Sequence, residues 1–224
     1  MTPKLVLFDI DGTLIDPGRV GKISATKAFY EMFGIEDAFS DISMAGKTDI
    51  QIIKEALTAY NLSYGENIIP AILNEYVKIL NEELKLGRMS VKPGAIELLN
   101  YLNDENGFYL GLLTGNIESG GRSKLGVFDL NRYFPFGAFG SDSEDRDKLL
   151  PVAVDKFMAS TNIKICFENC IVVGDTPLDV ACARPFGAVS IAVATGPYSY
   201  EELLKTGADH VLKDLTEARE TGLF

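Results

Sequence analysis

The sequence predicts an α/β fold, a doubly wound parallel sheet of the Rossmann-like kind with an inserted all-helical cap. Two observations support this prediction. From Phe108 onward, apolar strand-like runs alternate with amphipathic helices, which is typical of a parallel sheet with helical crossovers. Between residues 22 and 86 the apolar periodicity is only helical, so a helical insertion of roughly 70 residues is expected after the first strand.

The first predicted strand is the apolar run Lys4–Phe8, which leads directly into Asp9. A second aspartate, Asp11, follows before Gly12. A buried parallel strand delivers such side chains to its C-terminal end, where open α/β sheets bind their ligands. Two carboxylates this close repel each other, so their site needs a cation or a shared proton. Asp-x-Asp-Gly alone is equally compatible with a polar turn.

The insertion contains three helical patterns and is flanked by turn residues. The helical patterns cover Ala25–Phe33, Asp49–Tyr60 and Ile69–Leu84. The turns at Asp16–Gly18 and Met89–Gly94 predict two hinges between the insertion and the sheet. The predicted domains are an α/β core of residues 1–16 and 90–224 and a helical cap of residues 17–89.

Three later strands are expected to end in small or acidic polar residues. Phe108–Leu113 leads into Thr114-Gly115-Asn116, Asn131–Phe139 into Gly140-Ser141-Asp142, and Cys170–Val173 into Gly174-Asp175. Because parallel strands end at the same edge of a sheet, these residues are expected to share one crevice with Asp9. The remaining predicted units are helices at Ala95–Leu102, from about Leu149 and at Tyr200–Lys205, and strands at Ala188–Val193 and His210–Leu212.

Three segments match the motifs of a known family in order and spacing. They are Asp9-Ile-Asp11-Gly-Thr13, Leu112-Leu-Thr114-Gly-Asn116 and Val173-Gly-Asp175-Thr-Pro-Leu-Asp179. Through them, almost the whole chain resembles a phosphatase of the haloacid dehalogenase superfamily. Ala45–Asp49 resembles the cap segment of its phosphoglycolate phosphatase-like members. The third motif departs from the usual lysine: Glu144-Asp145-Arg146-Asp147-Lys148 offers Arg146 as the first choice and Lys148 as the second.

The resemblance implies a Mg²⁺-dependent phosphatase that hydrolyses a small phosphate monoester through an aspartyl-phosphate intermediate. Asp9 would be the nucleophile, and Asp11 would be the general acid and then the general base. A carboxylate oxygen of Asp9, the backbone carbonyl of Asp11 and the side chain of Asp175 would bind Mg²⁺. Asp179 would either bind the ion directly or orient a water bound to it.

The resemblance also implies a set of groups that contact the substrate. The phosphoryl group would be bound by the hydroxyl of Thr114, the backbone N–H groups of Ile10 and Gly115, and the side chain of Arg146 or Lys148. A solvated run of mixed charges is the alternative explanation for these two cations. Lys47, beside a cap helix, would receive a second anionic group of the substrate or is a surface lysine. Asn116 is expected to cap a helix.

Other functions within and outside the superfamily stay open. A dehalogenase fits less well, because that branch lacks a second aspartate at the position of Asp11. A phosphomutase would have to exclude water from the phosphoenzyme, and no feature of the sequence marks this. A non-catalytic metal- or phosphate-binding regulatory protein conflicts with the intact set of Asp9, Asp11, Thr114 and Asp175.

The composition of the chain limits the classes of binding partner to be expected. The formal net charge of −11 argues against nucleic acid or an anionic membrane as the main partner, so a small phosphorylated metabolite is expected. Three sparse cysteines and the lack of a long apolar leader favour a cytoplasmic protein. The single histidine, His210, is expected to be structural. The sequence leaves open whether the protein is a monomer or a homodimer.

Overall fold

The computed structural model describes residues 2–63 and 65–224, which contain eight strands and eight α-helices. The strands are β1 (Lys4–Phe8), β2 (Ile15–Asp16), β3 (Ser90–Val91), β4 (Phe108–Thr114), β5 (Gly137–Phe139), β6 (Cys170–Gly174), β7 (Val189–Val193) and β8 (His210–Leu212). The helices are α1 (Val20–Phe33), α2 (Asp49–Ala59), α3 (Ile68–Leu84), α4 (Ala95–Asp104), α5 (Glu118–Gly126), α6 (Leu149–Thr161), α7 (Pro177–Ala183) and α8 (Tyr200–Leu204).

Six strands form one parallel sheet in the order β5-β4-β1-β6-β7-β8. The chain therefore winds outward from β1 in both directions, and the predicted doubly wound fold is confirmed. Strand β1 is buried on both faces. Val6 and Phe8 pack with residues of α4 and α5, whereas Leu5 and Leu7 pack with residues of α6 and α7. This two-sided burial explains why β1 is continuously apolar rather than alternating.

The helices α1, α2 and α3 form the insertion and have a hydrophobic cluster of their own. Its members include Phe29 of α1, Leu57 of α2 and Leu80 of α3, all fully buried. The chain enters and leaves through β2 and β3, which pair antiparallel with Ile15 opposite Val91. The ribbon they form lies at the two turns that the sequence predicts as hinges.

Local sequence sets the ends of several helices. Helix α1 stops at Phe33 because Gly34 adopts a left-handed conformation with φ of 69° and its N–H donates to Tyr30 O. Helix α7 has Pro177 in its first turn, where the missing N–H costs nothing. None of the helices within residues 2–63 and 65–224 is long and apolar enough to cross a membrane.

The prediction of one strand over Asn131–Phe139 is wrong in its first half. Residues Leu130–Tyr133 form a 3₁₀ helix that buries Leu130 and Tyr133, and only Gly137–Phe139 pair with β4. Pro135 lies between the two parts and has no N–H to offer a sheet. The apolar character of this segment therefore reflects burial of its aromatic residues in the core and not a longer β5.

Candidate active site

A crevice lies where three neighbouring strands of the sheet end. Asp9 follows β1, Thr114 ends β4 and Asp175 follows β6, and these strands are adjacent in the order β4-β1-β6. Above them, a cavity of about 530 Å³ separates the sheet edge from the helical insertion. Its lining includes Asp9, Asp11 and Asp175 from the sheet side and Lys47, Ile52 and Tyr76 from the insertion.

The loop after β1 is held tightly against β6. The N–H of Asp9 donates to Val173 O at 2.9 Å, which extends the pairing of the two strands by one residue. Gly12 turns the chain with φ of +86°, and a Cβ placed on it would lie 2.3 Å from Asp175 Oδ2. A Cβ on Gly196 would lie 1.7 Å from the same oxygen. Two glycines thus allow the backbone to close around the Asp175 carboxylate.

Three carboxylates meet beneath the cavity. One oxygen each from Asp9, Asp175 and Asp179 lies within 4.8 Å of the other two, and all three side chains are buried. Asp175 Oδ1 accepts a hydrogen bond from Thr13 Oγ1 at 3.2 Å. Asp179 Oδ2 accepts from the backbone N–H and the hydroxyl of Thr176, at 3.0 and 2.7 Å. Asp179 is thereby fixed in the first turn of α7.

Among the described residues, Arg146 balances only part of the charge of this cluster. Burial raises the pKa of Asp9 to about 6, with Arg146 opposing the shift and Asp179 adding to it. Burial, together with the negative charges of Asp9 and Asp179, raises the pKa of Asp175 well above its usual range. Only carboxylate oxygens converge here, and hard divalent cations prefer such oxygen ligands. The residues therefore fit a divalent metal ion.

Arg146 is the cation that the structure brings to this cluster. Its Nη2 donates to Asp179 Oδ1 and lies 3.5 Å from Asp9 Oδ1, while its Nη1 donates to Gly46 O of the insertion at 3.0 Å. Burial disfavours its charge, but the Asp179 and Asp9 carboxylates outweigh burial and raise the pKa of Arg146. Its side chain is only 5 % exposed. Arg146 thus touches the acidic cluster and the cap segment at once.

Lys148, the second choice for the same position, lies elsewhere. Its side chain is 73 % exposed and pairs with Asp145 at 3.3 Å. Lys148 and Arg146 belong to the same 3₁₀ turn, Arg146–Lys148. The Asp145 side chain caps this turn by accepting a hydrogen bond from Asp147 N–H. Within this single turn the arginine points into the core and the lysine points to solvent.

The C-terminal ends of β1 and β4 provide hydrogen-bond donors near Asp9. Thr114 is fully buried, and an interaction of its hydroxyl with the Asp9 carboxylate lowers the pKa of Asp9, against the larger effect of burial. Within the described ranges, the backbone N–H groups of Ile10 and Gly115 donate a hydrogen bond to no protein acceptor. A Cβ on Gly115 would lie 2.1 Å from Lys47 O, so only glycine lets the insertion approach this closely.

Asn116 does not cap a helix, contrary to expectation. Helix α5 begins two residues later, and the buried Asn116 amide instead donates to Thr114 Oγ1 at 2.9 Å and to Asp11 Oδ2 at 3.0 Å. Its Oδ1 accepts from Lys124 Nζ at 2.7 Å. The side chain therefore joins the β4 end to the loop after β1 and has a role inside the crevice.

Lys124 is a site residue that the sequence reasoning missed. It lies in α5, its side chain is 3 % exposed, and its Nζ donates to Asp11 Oδ2 at 2.5 Å. A signal for it exists in the sequence. Ile117, Gly121, Lys124 and Leu125 follow the helical spacing of one buried face, and a charged residue on such a face is seldom buried without a partner.

The insertion is hydrogen-bonded to the core around the cavity. Thr48 caps α2 with a reciprocal bond to Gln51, and its hydroxyl also donates to Glu144 O at 2.8 Å. Asp49 accepts from Ile117 N–H at 2.8 Å, and burial raises the pKa of Asp49 to about 6, against the attraction of Lys124. These contacts hold the segment that precedes α2 over the ends of the strands.

Lys47 lines the cavity but already has a partner. Its Nζ lies 2.6 Å from Glu55 Oε2, and the two side chains are 28 % and 44 % exposed. This pair is screened by water, so it is worth little in stability and can be exchanged for another anion. The structure places Lys47 where it can reach a bound molecule, with Glu55 as a competitor.

Residues 6–193 match the sequence model of the haloacid dehalogenase-like hydrolases. The chain belongs to this family. The hydrolase is 28 % identical over 218 residues to a phosphoglycolate phosphatase of Rhodospirillum rubrum, covering 95 % of this chain and 88 % of the relative. It is 25 % identical to a protein of Caldanaerobacter subterraneus whose name proposes a pyrophosphatase, covering 94 % and 90 %.

Solved structures agree on the fold of the hydrolase. A structure from Clostridium acetobutylicum, titled as a predicted phosphatase, superposes with a TM-score of 0.75 at 24 % identity and covers 100 % of this chain and 99 % of that one. The family and the α/β core that the sequence predicts are confirmed by these findings and by the observed sheet. The match of residues 6–193 runs through the helical insertion as well as the sheet.

Proposed function

We propose that this hydrolase is a phosphatase that cleaves a small phosphate monoester through an aspartyl-phosphate on Asp9. One observation carries the proposal. A buried carboxylate at the end of the central strand faces a cavity and has a guanidinium at 3.5 Å and two further carboxylates within 4.8 Å. The names of the curated relatives support the same chemistry.

In the first step, an oxygen of Asp9 attacks phosphorus as the bond from phosphorus to the leaving oxygen breaks. An anion that approaches a phosphate dianion is repelled, so charge compensation around the phosphoryl group has to dominate catalysis. Arg146 is in place to compensate part of that charge. We assign the Thr114 hydroxyl and the free N–H groups of Ile10 and Gly115 as further donors to the phosphoryl oxygens. Lys148, in solvent, has no part in this assignment.

The acidic cluster is proposed as a Mg²⁺ site. The ion would be held by Asp9, by the backbone carbonyl of Asp11 and by Asp175. Asp179 would orient a water bound to the ion, because both Asp179 oxygens already accept protein hydrogen bonds. When bound, Mg²⁺ supplies positive charge to the transferring phosphoryl group. The all-oxygen donor set and the excess negative charge of the three carboxylates support this assignment.

Asp11 is proposed as the proton donor and acceptor. It would protonate the leaving oxygen in the first step, and its carboxylate would take a proton from the water that attacks the aspartyl-phosphate in the second. The carboxylate lies at the cavity and is 29 % exposed, so both substrate and water can reach it. The products are an alcohol and inorganic phosphate.

The helical insertion, residues 17–89, is proposed as the cap that selects the leaving group. Phosphoglycolate is the first candidate substrate, because a relative is named for it and Lys47 offers a cation that can exchange Glu55 for a substrate carboxylate. Inorganic pyrophosphate, an anhydride whose leaving group is a second phosphate and not an alcohol, is the second candidate, because another relative is named for it. The three unpaired cysteines suit a reducing cytoplasm, which we propose as the location.

A substrate panel tests this proposal. Purified protein with Mg²⁺ is given p-nitrophenyl phosphate, phosphoglycolate, pyrophosphate, a sugar phosphate and a haloacid, and kcat/KM is compared with that of Asp9→Asn. We expect release of inorganic phosphate from one or more monoesters and none by the variant. Transfer of phosphate to a second sugar hydroxyl would identify a mutase. Tight phosphate binding without turnover would indicate a regulatory binding protein, and release of halide from a haloacid would indicate a dehalogenase.

A further inference from the structure

Lys124 has no place in the chemistry assigned so far, although it is buried at the site. Its ammonium group donates to Asp11 Oδ2 at 2.5 Å and to Asn116 Oδ1 at 2.7 Å. An ammonium group is rarely buried unless it is paired, because removing its charge from water is costly. The only ion-pair partner within 4.0 Å in the described part of the chain is Asp11. Lys124 therefore pairs directly with Asp11, and its charge also attracts the Asp49 carboxylate at longer range.

The two oxygens of Asp11 have different surroundings. Oδ2 accepts from both Lys124 Nζ and the Asn116 amide, at 2.5 and 3.0 Å. Oδ1 is buried and has no hydrogen-bond partner among the described residues. Two donors on one oxygen fix the plane and the direction of the carboxylate at the wall of the cavity. This is the arrangement that an orienting group gives to a catalytic acid or base.

We propose that Lys124 is a positioning residue that holds Asp11 by Oδ2, with Asn116 as its partner, so that the carboxylate keeps one orientation towards the cavity for proton exchange with the leaving group and with water. The inference rests on the proposed phosphatase function. It assigns to Lys124 no contact with substrate, since its ammonium is directed to Asp11 and Asn116.

The role of Lys124 differs between the two steps. In the first step the proton leaves the Asp11 carboxyl group for the leaving oxygen, and the carboxylate that remains faces the Lys124 charge. In the second step the Asp11 carboxylate takes a proton from water while the water oxygen bonds to phosphorus and the Asp9–phosphorus bond breaks. A leaving group as stable as p-nitrophenolate hardly needs protonation, so with that substrate only the second step depends on a well-oriented Asp11.

The test compares four proteins with p-nitrophenyl phosphate: wild type, Lys124→Met, Asp11→Asn and the double variant. Methionine has similar length without charge. Lys78→Met is the matched control, because Lys78 is 74 % exposed and its ion-pair partner among the described residues is Glu75 on the same helix. We expect Lys124→Met to lower kcat by about tenfold or more, a part of the roughly 100- to 10,000-fold that general acid–base catalysis supplies. A burst of p-nitrophenolate approaching one per active site should precede the slow steady state.

The double variant separates positioning from other roles. Once Asp11 is asparagine, Lys124 has no carboxylate to hold, so Asp11→Asn/Lys124→Met should turn over within about twofold of Asp11→Asn. This comparison also covers the case in which Lys124→Met alone folds poorly, because the double variant removes both members of the buried pair. Thermal unfolding of all variants with Mg²⁺ present checks their folding.

Three results would overturn the proposal. Losses that multiply in the double variant would show that Lys124 acts independently of Asp11. A tenfold rise in KM for phosphoglycolate with unchanged kcat would place Lys124 on the substrate. An unchanged rate in Lys124→Met would remove its role. The phosphatase proposal fails separately, if wild type shows no turnover or if Asp9→Asn retains it.

Discussion

Among the residues that the structure describes, Arg146 is the one cation in contact with the acidic cluster, and replacing it with alanine removes that contact. The guanidinium contacts Asp179, Asp9 and the carbonyl of Gly46 at the same time. Loss of a charge-assisted contact to the transferring phosphoryl group should cost about 2 kcal/mol or more of transition-state stabilisation, which is about 30-fold in kcat/KM. The effect should appear with every substrate, because it concerns the phosphoryl group and not the leaving group.

The same substitution also affects folding. Breaking a buried ion pair leaves an uncompensated charge, which lowers the free energy of unfolding by about 3–5 kcal/mol. In Arg146→Ala the uncompensated charge is that of Asp179. Thermal unfolding with saturating Mg²⁺ must therefore show that the variant is folded at the assay temperature. Arg146→Lys is the second variant: it keeps the charge, but one ammonium group cannot reproduce a fork that reaches both Asp179 and Gly46. It should be more stable than the alanine variant and still impaired.

Lys148→Ala is the control, and it is matched because both residues lie in the same turn. Its side chain is exposed and, within residues 2–63 and 65–224, pairs with Asp145 alone, so kcat/KM should stay within about twofold of wild type, as for most exposed ion pairs. Folded Arg146→Ala protein with wild-type kcat/KM would refute the assignment of the third motif. A larger loss in Lys148→Ala than in Arg146→Ala would move the role to Lys148.

Three further predictions concern the metal, the cap and pH. Activity should be lost after dialysis against EDTA and restored by Mg²⁺ but poorly by the larger Ca²⁺, and full activity in EDTA would contradict the metal assignment. Lys47→Ala should weaken kcat/KM for phosphoglycolate by about 1–3 kcal/mol while hardly changing p-nitrophenyl phosphate hydrolysis; equal losses would place Lys47 at the phosphoryl group or in the fold. Because the pKa of Asp49 rises from 3.8 to about 6 on folding, its contribution to the free energy of unfolding should fall as pH rises through that interval. Asp49→Asn, whose amide oxygen can still accept from Ile117, should therefore stabilise the protein by about 1 kcal/mol at pH 8 and progressively less below pH 6, measured by urea unfolding; a gain that does not depend on pH would show that charge burial is not its cause.

The sequence predicts the sheet and the main acidic residues well, because both depend on short-range patterns. The run Lys4–Phe8 is apolar at every position after the first, which only a strand covered on both faces requires. Asp9, Thr114 and Asp175 follow strand ends, so the parallel topology alone brings them to one edge. No distance between elements is needed for that inference.

The sequence does not predict features that depend on direction within a turn or on contacts between distant elements. Arg146 and Lys148 are two residues apart in one 3₁₀ turn, and only the packing of that turn against α7 directs the arginine inward. Lys124 reaches Asp11 across 113 positions of sequence, through the docking of α5 beside the loop after β1. Asn116 reads as a helix cap because asparagine is common there, but its amide is used by Asp11 and Thr114 instead.

The central claim is that Asp9 carries the phosphoryl group. Lys124→Met protein, in which we expect the intermediate to accumulate, is mixed with p-nitrophenyl phosphate and Mg²⁺ and quenched in acid during the burst. Its peptides are then analysed by mass spectrometry, with Asp9→Asn protein as the control. The account predicts a phosphoryl adduct on the peptide containing Asp9, and neither adduct nor turnover in Asp9→Asn. An adduct on another residue, or Asp9→Asn protein that keeps more than about a tenth of wild-type kcat, would contradict it.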